Sequence, residues 1–350
     1  MSNMFAAVLH APADLRYEQV AVPQCSEHEV LLRVRAAGVC GSDLDRVMKT
    51  GTYKFPTIPG HEFSGEVVQV GGAVKGFAPS ARVVVAPLLP CLQCEPCSKG
   101  DYGMCDSYGY LGSRSDGGFA QFAVAPARNL LRLPEGVSFV EGAMVEPAAV
   151  TLHGLMRVGI HPGETVAVLG CGPLGLCAIQ LARIMGAGQI IAADIADDKL
   201  ELARAVGAGK CIDARMVDAA QAIREATSDK GAEVSIETAG VAHTQEQCLR
   251  IAKKKGRVLY LGTAHKDVVI PPGSFECIIR NELTILGSWN SYSAPFPGVE
   301  WRATLEYIAR GELKLSPLIS HTFGLSEASR VFRELAEHRF PFTKVIFEMA

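Results

Sequence analysis

Thr165-Val-Ala-Val-Leu-Gly170-Cys-Gly172-Pro-Leu-Gly175 is the stretch that decides the fold of this 350-residue chain. A strand-like apolar run leads into Gly-x-Gly-x-x-Gly, and a helix-compatible segment follows it. Alone the motif is weak, because glycine-rich turns occur in many α/β folds. Its context strengthens it: a second apolar strand, Gln189–Asp194, ends in an acidic residue about twenty positions past the last glycine. Gly170 permits the tight turn, Gly172 lets backbone approach a pyrophosphate, and Gly175 lets helix and strand pack closely. Pro173 and Leu174 open a helix whose free N–H groups would face that anion. Asp194 would bond both ribose hydroxyls and repel a 2′-phosphate, which predicts NAD rather than NADP.

Working outward, strand and helix alternate. A helix is expected over 174–185, a strand over Gln189–Asp194, a helix over 198–206, and strands near 233–237 and 257–262. That alternation predicts a doubly wound parallel sheet. Before about residue 150 the texture differs. Short Val, Ala and Leu runs at 29–36, 63–70 and 81–86, broken by Gly and Pro, predict a β-rich, barrel-like unit. After about Gly287 the alternation stops, and 301–310 and 326–337 read as amphipathic helices. The expected class is α/β, a β-rich domain joined to a doubly wound one.

The formal net charge of −3 creates no field that would gather nucleic acid or anionic membrane. The one basic cluster, Lys253–Lys255 with Arg257, reads as a solvated helix end. No window approaches the ~18 apolar residues of a membrane span. The start, MSNMFAAVLHAP, lacks the features of an export signal, and eleven cysteines without one predict a reducing cytoplasm. Four of those cysteines, Cys91, Cys94, Cys97 and Cys105, crowd one short loop. Zinc with four thiolates makes a closed, structural site, and that is the expectation here. Disulfides or an iron–sulfur cluster are the alternatives, but a hydride cofactor leaves a one-electron centre no evident task.

Cys40-Gly-Ser42-Asp43 and Gly60-His61-Glu62 offer a thiolate and an imidazole in glycine-bounded loops. A lone cysteine or histidine is ordinarily a packing residue. Taken in order with the four-cysteine loop and the glycine turn, however, these motifs resemble the zinc-dependent medium-chain alcohol dehydrogenases. Further segments, 60–65, Pro87-Leu-Leu-Pro-Cys91, 112–119, Glu237-Thr-Ala-Gly240 and Gly287-Ser-Trp289, resemble its polyol branch, especially enzymes of sugar-alcohol phosphates.

The resemblance spans nearly the whole chain. It implies a GroES-like catalytic domain from 1–150 and 287–350, a Rossmann NAD-binding domain at 151–286, two zincs per chain, and a homodimer or homotetramer. It implies that Cys40, His61 and Glu146 hold a catalytic zinc, with Glu62 beside the metal and able to exchange with Glu146. Asp43 matches the carboxylate that orients the ligand histidine, and Ser42 the hydroxyl that accepts the alcohol proton. Asp45 stands where some relatives continue the proton relay with a histidine. Lys199 matches a ribose-contacting lysine, and equally an ordinary first-turn lysine.

Arg46 stands where sorbitol-type relatives place a tyrosine in the substrate cleft, and a guanidinium there suits a phosphate. Asn290 matches another cleft position, while Lys49 and Arg114 read as exposed surface charges. The expected reaction is oxidation of a secondary hydroxyl in a hexitol phosphate, galactitol 1-phosphate to tagatose 6-phosphate. A free polyol such as sorbitol, or threonine, is the alternative. A non-catalytic zinc protein would predict a damaged ligand set or glycine turn, and both are intact.

Overall fold

In the computed structural model, which describes residues 3–349, the chain forms two units. The first comprises residues up to Glu146, Tyr292–Ala309 and the chain from Ile319 onward; the second comprises Pro147–Ser291 and Arg310–Leu318.

The first unit is built on a seven-stranded sheet. Its path runs Ile319–Gly324, Lys344–Glu348, Glu29–Gly38, Glu62–Val70, Arg82–Val85, Leu130–Arg132, with Phe122–Pro126 pairing onto Glu29–Gly38. All pairings are antiparallel except the first. Val30, Leu32 and Val34 alternate inward along Glu29–Gly38 and are fully buried, as the two-residue period of a strand requires. The C-terminal segment completes this core. In the helix Ala328–Ala336, Ala328, Val331, Phe332 and Leu335 fall at i, i+3, i+4 and i+7 and are all buried. Phe332 and Phe347 both pack edgewise on Phe119, with centroids 5.8 and 5.4 Å from it.

The second unit is a six-stranded, all-parallel sheet. Its order is Lys210–Asp213, Gln189–Asp194, Thr165–Leu169, Ala232–Glu237, Ala252–Tyr260, Thr284–Gly287. In chain order that is 3-2-1-4-5-6, the doubly wound arrangement whose ligand crevice opens where the order reverses. The reversal lies between Thr165–Leu169 and Ala232–Glu237, above the glycine turn. Gly170 has φ +96°, and a Cβ on Gly175 would lie 1.9 Å from the Gly170 carbonyl oxygen, so both positions need glycine.

Three expectations change. Lys253–Lys255 and Arg257 lie in the strand Ala252–Tyr260 rather than at a helix end, and three of the four charges are answered by neighbouring elements. Lys253 pairs with Glu233 at 2.5 Å, Lys255 with Glu282 and Arg257 with Glu164. Arg310–Leu318 belongs to the second unit, since the Gln180 amide brackets the Lys314 backbone at 3.0 and 2.9 Å. Glu146 sits in the first turn of a helix, Val145–Val158, that local periodicity did not announce. Among the described residues no helix is long and apolar enough to cross a membrane.

Candidate metal and cofactor sites

Cys40 follows the strand Glu29–Gly38 and caps the short helix Gly41–Asp45; His61 immediately precedes the strand Glu62–Val70. One buried carboxylate joins the two loops. Asp43 Oδ2 accepts the Cys40 backbone N–H at 3.2 Å, and Oδ1 holds His61 Nδ1 at 3.1 Å. With Nδ1 so occupied, Nε2 is the nitrogen left for a metal. Burial opposes a charged imidazole, yet Asp43 and the Cys40 sulfur outweigh it and hold the His61 pKa well above its usual value. Cys40, His61 and Glu62 each present a donor atom within 4.8 Å of the others. Thiolate, imidazole and carboxylate are a donor set suited to zinc.

The two glutamates of this neighbourhood have different partners. Glu62 is ion-paired with Lys344, and both side chains are buried. Glu146 is also buried, and its Oε1 accepts the Tyr110 hydroxyl at 3.0 Å. Burial pushes its pKa up to about 7, with nearby His61 pulling it down and Glu62 pushing it up. Glu146 is thus a desolvated carboxyl beside a neutral phenol, whereas Glu62 has its own cation. Glu146 is not part of the 4.8 Å set, which Glu62 joins.

Ser42 donates from Oγ to Cys40 Sγ at 3.3 Å and accepts an N–H of Arg46 at 2.9 Å. Arg46 also lies 3.8 Å from Asp43 Oδ1, so its guanidinium borders the donor set. Lys49 is exposed and paired with Asp45, as expected of a surface charge. Arg114 is not such a charge: it is half-buried and lies over the rings of Tyr53 and Tyr108. Asn290 belongs to the second unit, at φ +56°, with its Nδ2 buried and without an acceptor among the described residues.

The sulfur atoms of Cys91, Cys94, Cys97 and Cys105 all lie within 4.8 Å of one another, and all four cysteines are free. Cys94 and Cys105 Sγ stand 3.9 Å apart. Corners of a tetrahedron around zinc at ~2.3 Å are roughly 3.8 Å apart, so the loop has the spacing of a four-thiolate site. The backbone amides of Gln93 and Cys94 lower the Cys91 thiol to about 6, while burial raises Cys97 to about 12.

In the second unit a cavity of about 460 Å³ opens beside the glycine turn, lined among others by Gly170, Asp194, Ile195, Met216, Val241 and Thr244. Asp194 sits at its edge. Its Oδ2 accepts the Cys171 N–H at 2.6 Å, and its Oδ1 accepts those of Ile195 and Ala196 at 2.7 and 3.0 Å. The carboxylate is therefore fixed by three amides before any sugar arrives. Pro173 and Leu174 begin the helix Pro173–Ile184, with Gly172 as its N-cap. Lys199 is half-buried in the first turn of Asp197–Ala205.

Residues 26–135 match the family described as "Alcohol dehydrogenase GroES-like domain", and residues 173–307 match "Zinc-binding dehydrogenase". The chain belongs to the zinc-binding alcohol dehydrogenase family. Within it, galactitol 1-phosphate 5-dehydrogenase of Escherichia coli K12 is 35% identical over 93% of this chain and 95% of its own. Sorbitol dehydrogenase of Bacillus subtilis is 32% identical over 98% and 97%. The crystal structure of galactitol-1-phosphate dehydrogenase from Escherichia coli superposes with a TM-score of 0.94 at 35% identity, covering 99% of this chain and 100% of that one. A zinc-binding dehydrogenase of Sinorhizobium meliloti bound to NADP gives 0.91 at 34% identity, covering 99% and 100%. The chain is therefore an oxidoreductase of the zinc-dependent medium-chain polyol dehydrogenases.

Three residues of this dehydrogenase escaped the sequence reading. Lys344 is far from Glu62 in sequence, and a lysine near the chain end carries no sign of burial. Tyr110, which bonds Glu146, lies among residues whose roles the motifs do not specify. Glu237 ends its strand with Oε1 accepting the Ala239 and Gly240 amides, each at 2.9 Å, and the Thr244 hydroxyl at 2.7 Å. The segment Glu237–Gly240 was legible as a family motif, but not as a turn held by its own first side chain.

Proposed function

We propose that this dehydrogenase oxidises a secondary hydroxyl of a hexitol phosphate, galactitol 1-phosphate to tagatose 6-phosphate, with NAD as hydride acceptor. The observation that carries the phosphorylated substrate is the presence of two half-buried arginines, Arg46 and Arg114, in the unit that holds the donor set. The likeness to galactitol 1-phosphate 5-dehydrogenase supports it. The fixed carboxylate of Asp194 supports NAD, because a 2′-phosphate would meet a negative charge. The likeness to sorbitol dehydrogenase favours a free polyol as the second reading.

Cys40, His61 and Glu146 are the ligands we assign to a catalytic zinc. Glu62 already lies with Cys40 and His61, its charge answered by Lys344, and Glu146 is the carboxylate that would move in to exchange with it. Cys91, Cys94, Cys97 and Cys105 would hold a structural zinc. When bound, the catalytic zinc supplies Lewis acidity to the substrate hydroxyl. Asp43 keeps His61 in the tautomer that presents Nε2, and Tyr110 restrains Glu146. Ser42 accepts the alcohol proton as its own hydroxyl proton passes on, so its oxygen stays neutral, and the Arg46 N–H holds that oxygen in place. Asp45 is engaged by Lys49, so it does not continue the relay, and the proton leaves by another route. Gly170, Gly172, Pro173, Leu174 and Gly175 receive the pyrophosphate, Asp194 and Lys199 the ribose, and Asn290 contacts substrate. The chain is also assigned a homo-oligomeric state, supported by an unpaired edge strand, Thr284–Gly287, bordered by exposed apolar residues.

Initial rates on galactitol 1-phosphate, galactitol, sorbitol and xylitol, each with NAD and NADP, test the reading. Turnover of the phosphate ester with NAD is expected to lead. Faster turnover of a free polyol overturns the substrate, and faster turnover with NADP overturns the role of Asp194. Two zincs per chain are expected by elemental analysis.

A further inference from the structure

Arg114 is unusual among the chain's cations. Its guanidinium carbon lies 3.9 Å from the centroid of the Tyr53 ring and 4.5 Å from that of Tyr108, so the cation rests against two aromatic rings. Among the described residues no carboxylate pairs with it, and its buried Nε finds no acceptor. The loop around it is held by backbone bonds, from Arg114 N to the Tyr110 carbonyl at 2.9 Å and from Tyr53 N to the Ser113 carbonyl at 3.4 Å. Tyr53 remains 66% exposed. A stacked guanidinium keeps its charge and its in-plane N–H groups, and those are the donors that grip a phosphate two at a time. Stacking also removes the freedom that a long side chain would otherwise lose on binding.

The position suits an anion several bonds away from the reacting carbon. Tyr108 meets Tyr110 edge-on at 6.5 Å, and Tyr110 in turn meets His61 at 5.7 Å. Three ring contacts therefore join Arg114 to a candidate zinc ligand, with the Tyr110 hydroxyl on Glu146. In an open-chain hexitol phosphate oxidised at carbon 5, the phosphate on carbon 1 stands well clear of the metal. Arg46 does not have this placement: it donates to Ser42, which itself touches Cys40 Sγ.

We infer that Arg114, resting against Tyr53 and Tyr108, is the specificity-determining anchor for the substrate's phosphate, and that Arg46 serves the reacting end. This rests on the reading of the substrate as a phosphorylated polyol. The test compares kcat/KM on galactitol 1-phosphate and on free galactitol for wild type, Arg114→Met, Arg114→Lys and Arg46→Ala, together with competitive inhibition by inorganic phosphate.

Arg114→Met, which keeps bulk against the rings, is expected to lose about 10- to 100-fold on the ester through KM and to change less than about 2-fold on the free polyol. Inhibition by phosphate should weaken in parallel. Arg114→Lys should recover only part of the loss, because an ammonium cannot bind bidentately. NADH binding by fluorescence should be unchanged in both, and if Arg114→Met does not fold, Arg114→Lys carries the test. A residue that only staples the two loops would lower both activities alike, and that outcome overturns the inference. A selective loss that follows Arg46→Ala instead also overturns it, leaving the phosphorylated substrate intact. If wild type shows no preference for the ester and inorganic phosphate does not inhibit, the substrate reading falls and this inference with it.

Discussion

Asp43 is a fully buried carboxylate that accepts from Cys40 and faces His61 and Arg46. Burial pushes its pKa up, but His61 and then Arg46 and the Cys40 amide outweigh this and hold it below the usual carboxylate value. Its role follows from geometry: it fixes both the tautomer and the ring plane of His61. Asp43→Asn keeps the shape and removes the charge. It is expected to weaken zinc retention at the catalytic site by about 10- to 100-fold, measured by competition with a chelator. The four-cysteine zinc should be retained, and loss of both metals together would show that the effect is general unfolding. Glu62 and Glu146 illustrate the same principle from the other side. Two like residues in one neighbourhood differ because only one was given a buried lysine.

At the scale of elements, the turn before the strand Thr165–Leu169 is tied to the strand Ala252–Tyr260 by Glu164 and Arg257. Burial raises the Glu164 pKa, but Arg257 and the His161 amide and ring outweigh it, bringing it from 4.5 down to about 2. A carboxylate depressed in the folded state adds stability that is present above its unfolded pKa and lost as pH falls through the folded one. Wild type should therefore lose stability between pH 4.5 and about 2 through this group. Glu164→Gln is expected to be less stable at pH 7 and to show a shallower fall in Tm across that acid window. Parallel Tm profiles for the two proteins would refute the assignment. The helix Ala328–Ala336 and the strand Thr165–Leu169 were legible because their apolar periods are strong. The helix Val145–Val158 and the strand segment 252–256 were not: the first shows no marked apolar period, and in the second lysines at 253–255 mask a strand whose charges Glu233 and Glu282 answer.

At the scale of the molecule, the second unit ends its sheet on Thr284–Gly287, whose outer edge pairs with no strand among the described residues. Ile285 is 40% exposed there, and Val269, Phe275 and Ile279 are exposed nearby in the chain. An apolar, unpaired edge of this kind is a template for association, and a lysine on it is a common means of blocking it. Ile285→Lys is expected to shift the protein toward monomer in light scattering while leaving NADH binding intact; an unchanged mass would dissociate this edge from assembly. By itself the sequence determined the nucleotide fold, through the glycine turn and the acid ending the next strand. It also determined the four-thiolate loop, because those ligands are neighbours in the chain and their spacing is local. Only the tertiary structure decided which carboxylate Lys344 neutralises and that Arg114 rests against two tyrosines. Those groups are remote in sequence, and burial, charge pairing and ring stacking act through space between residues that no local pattern links.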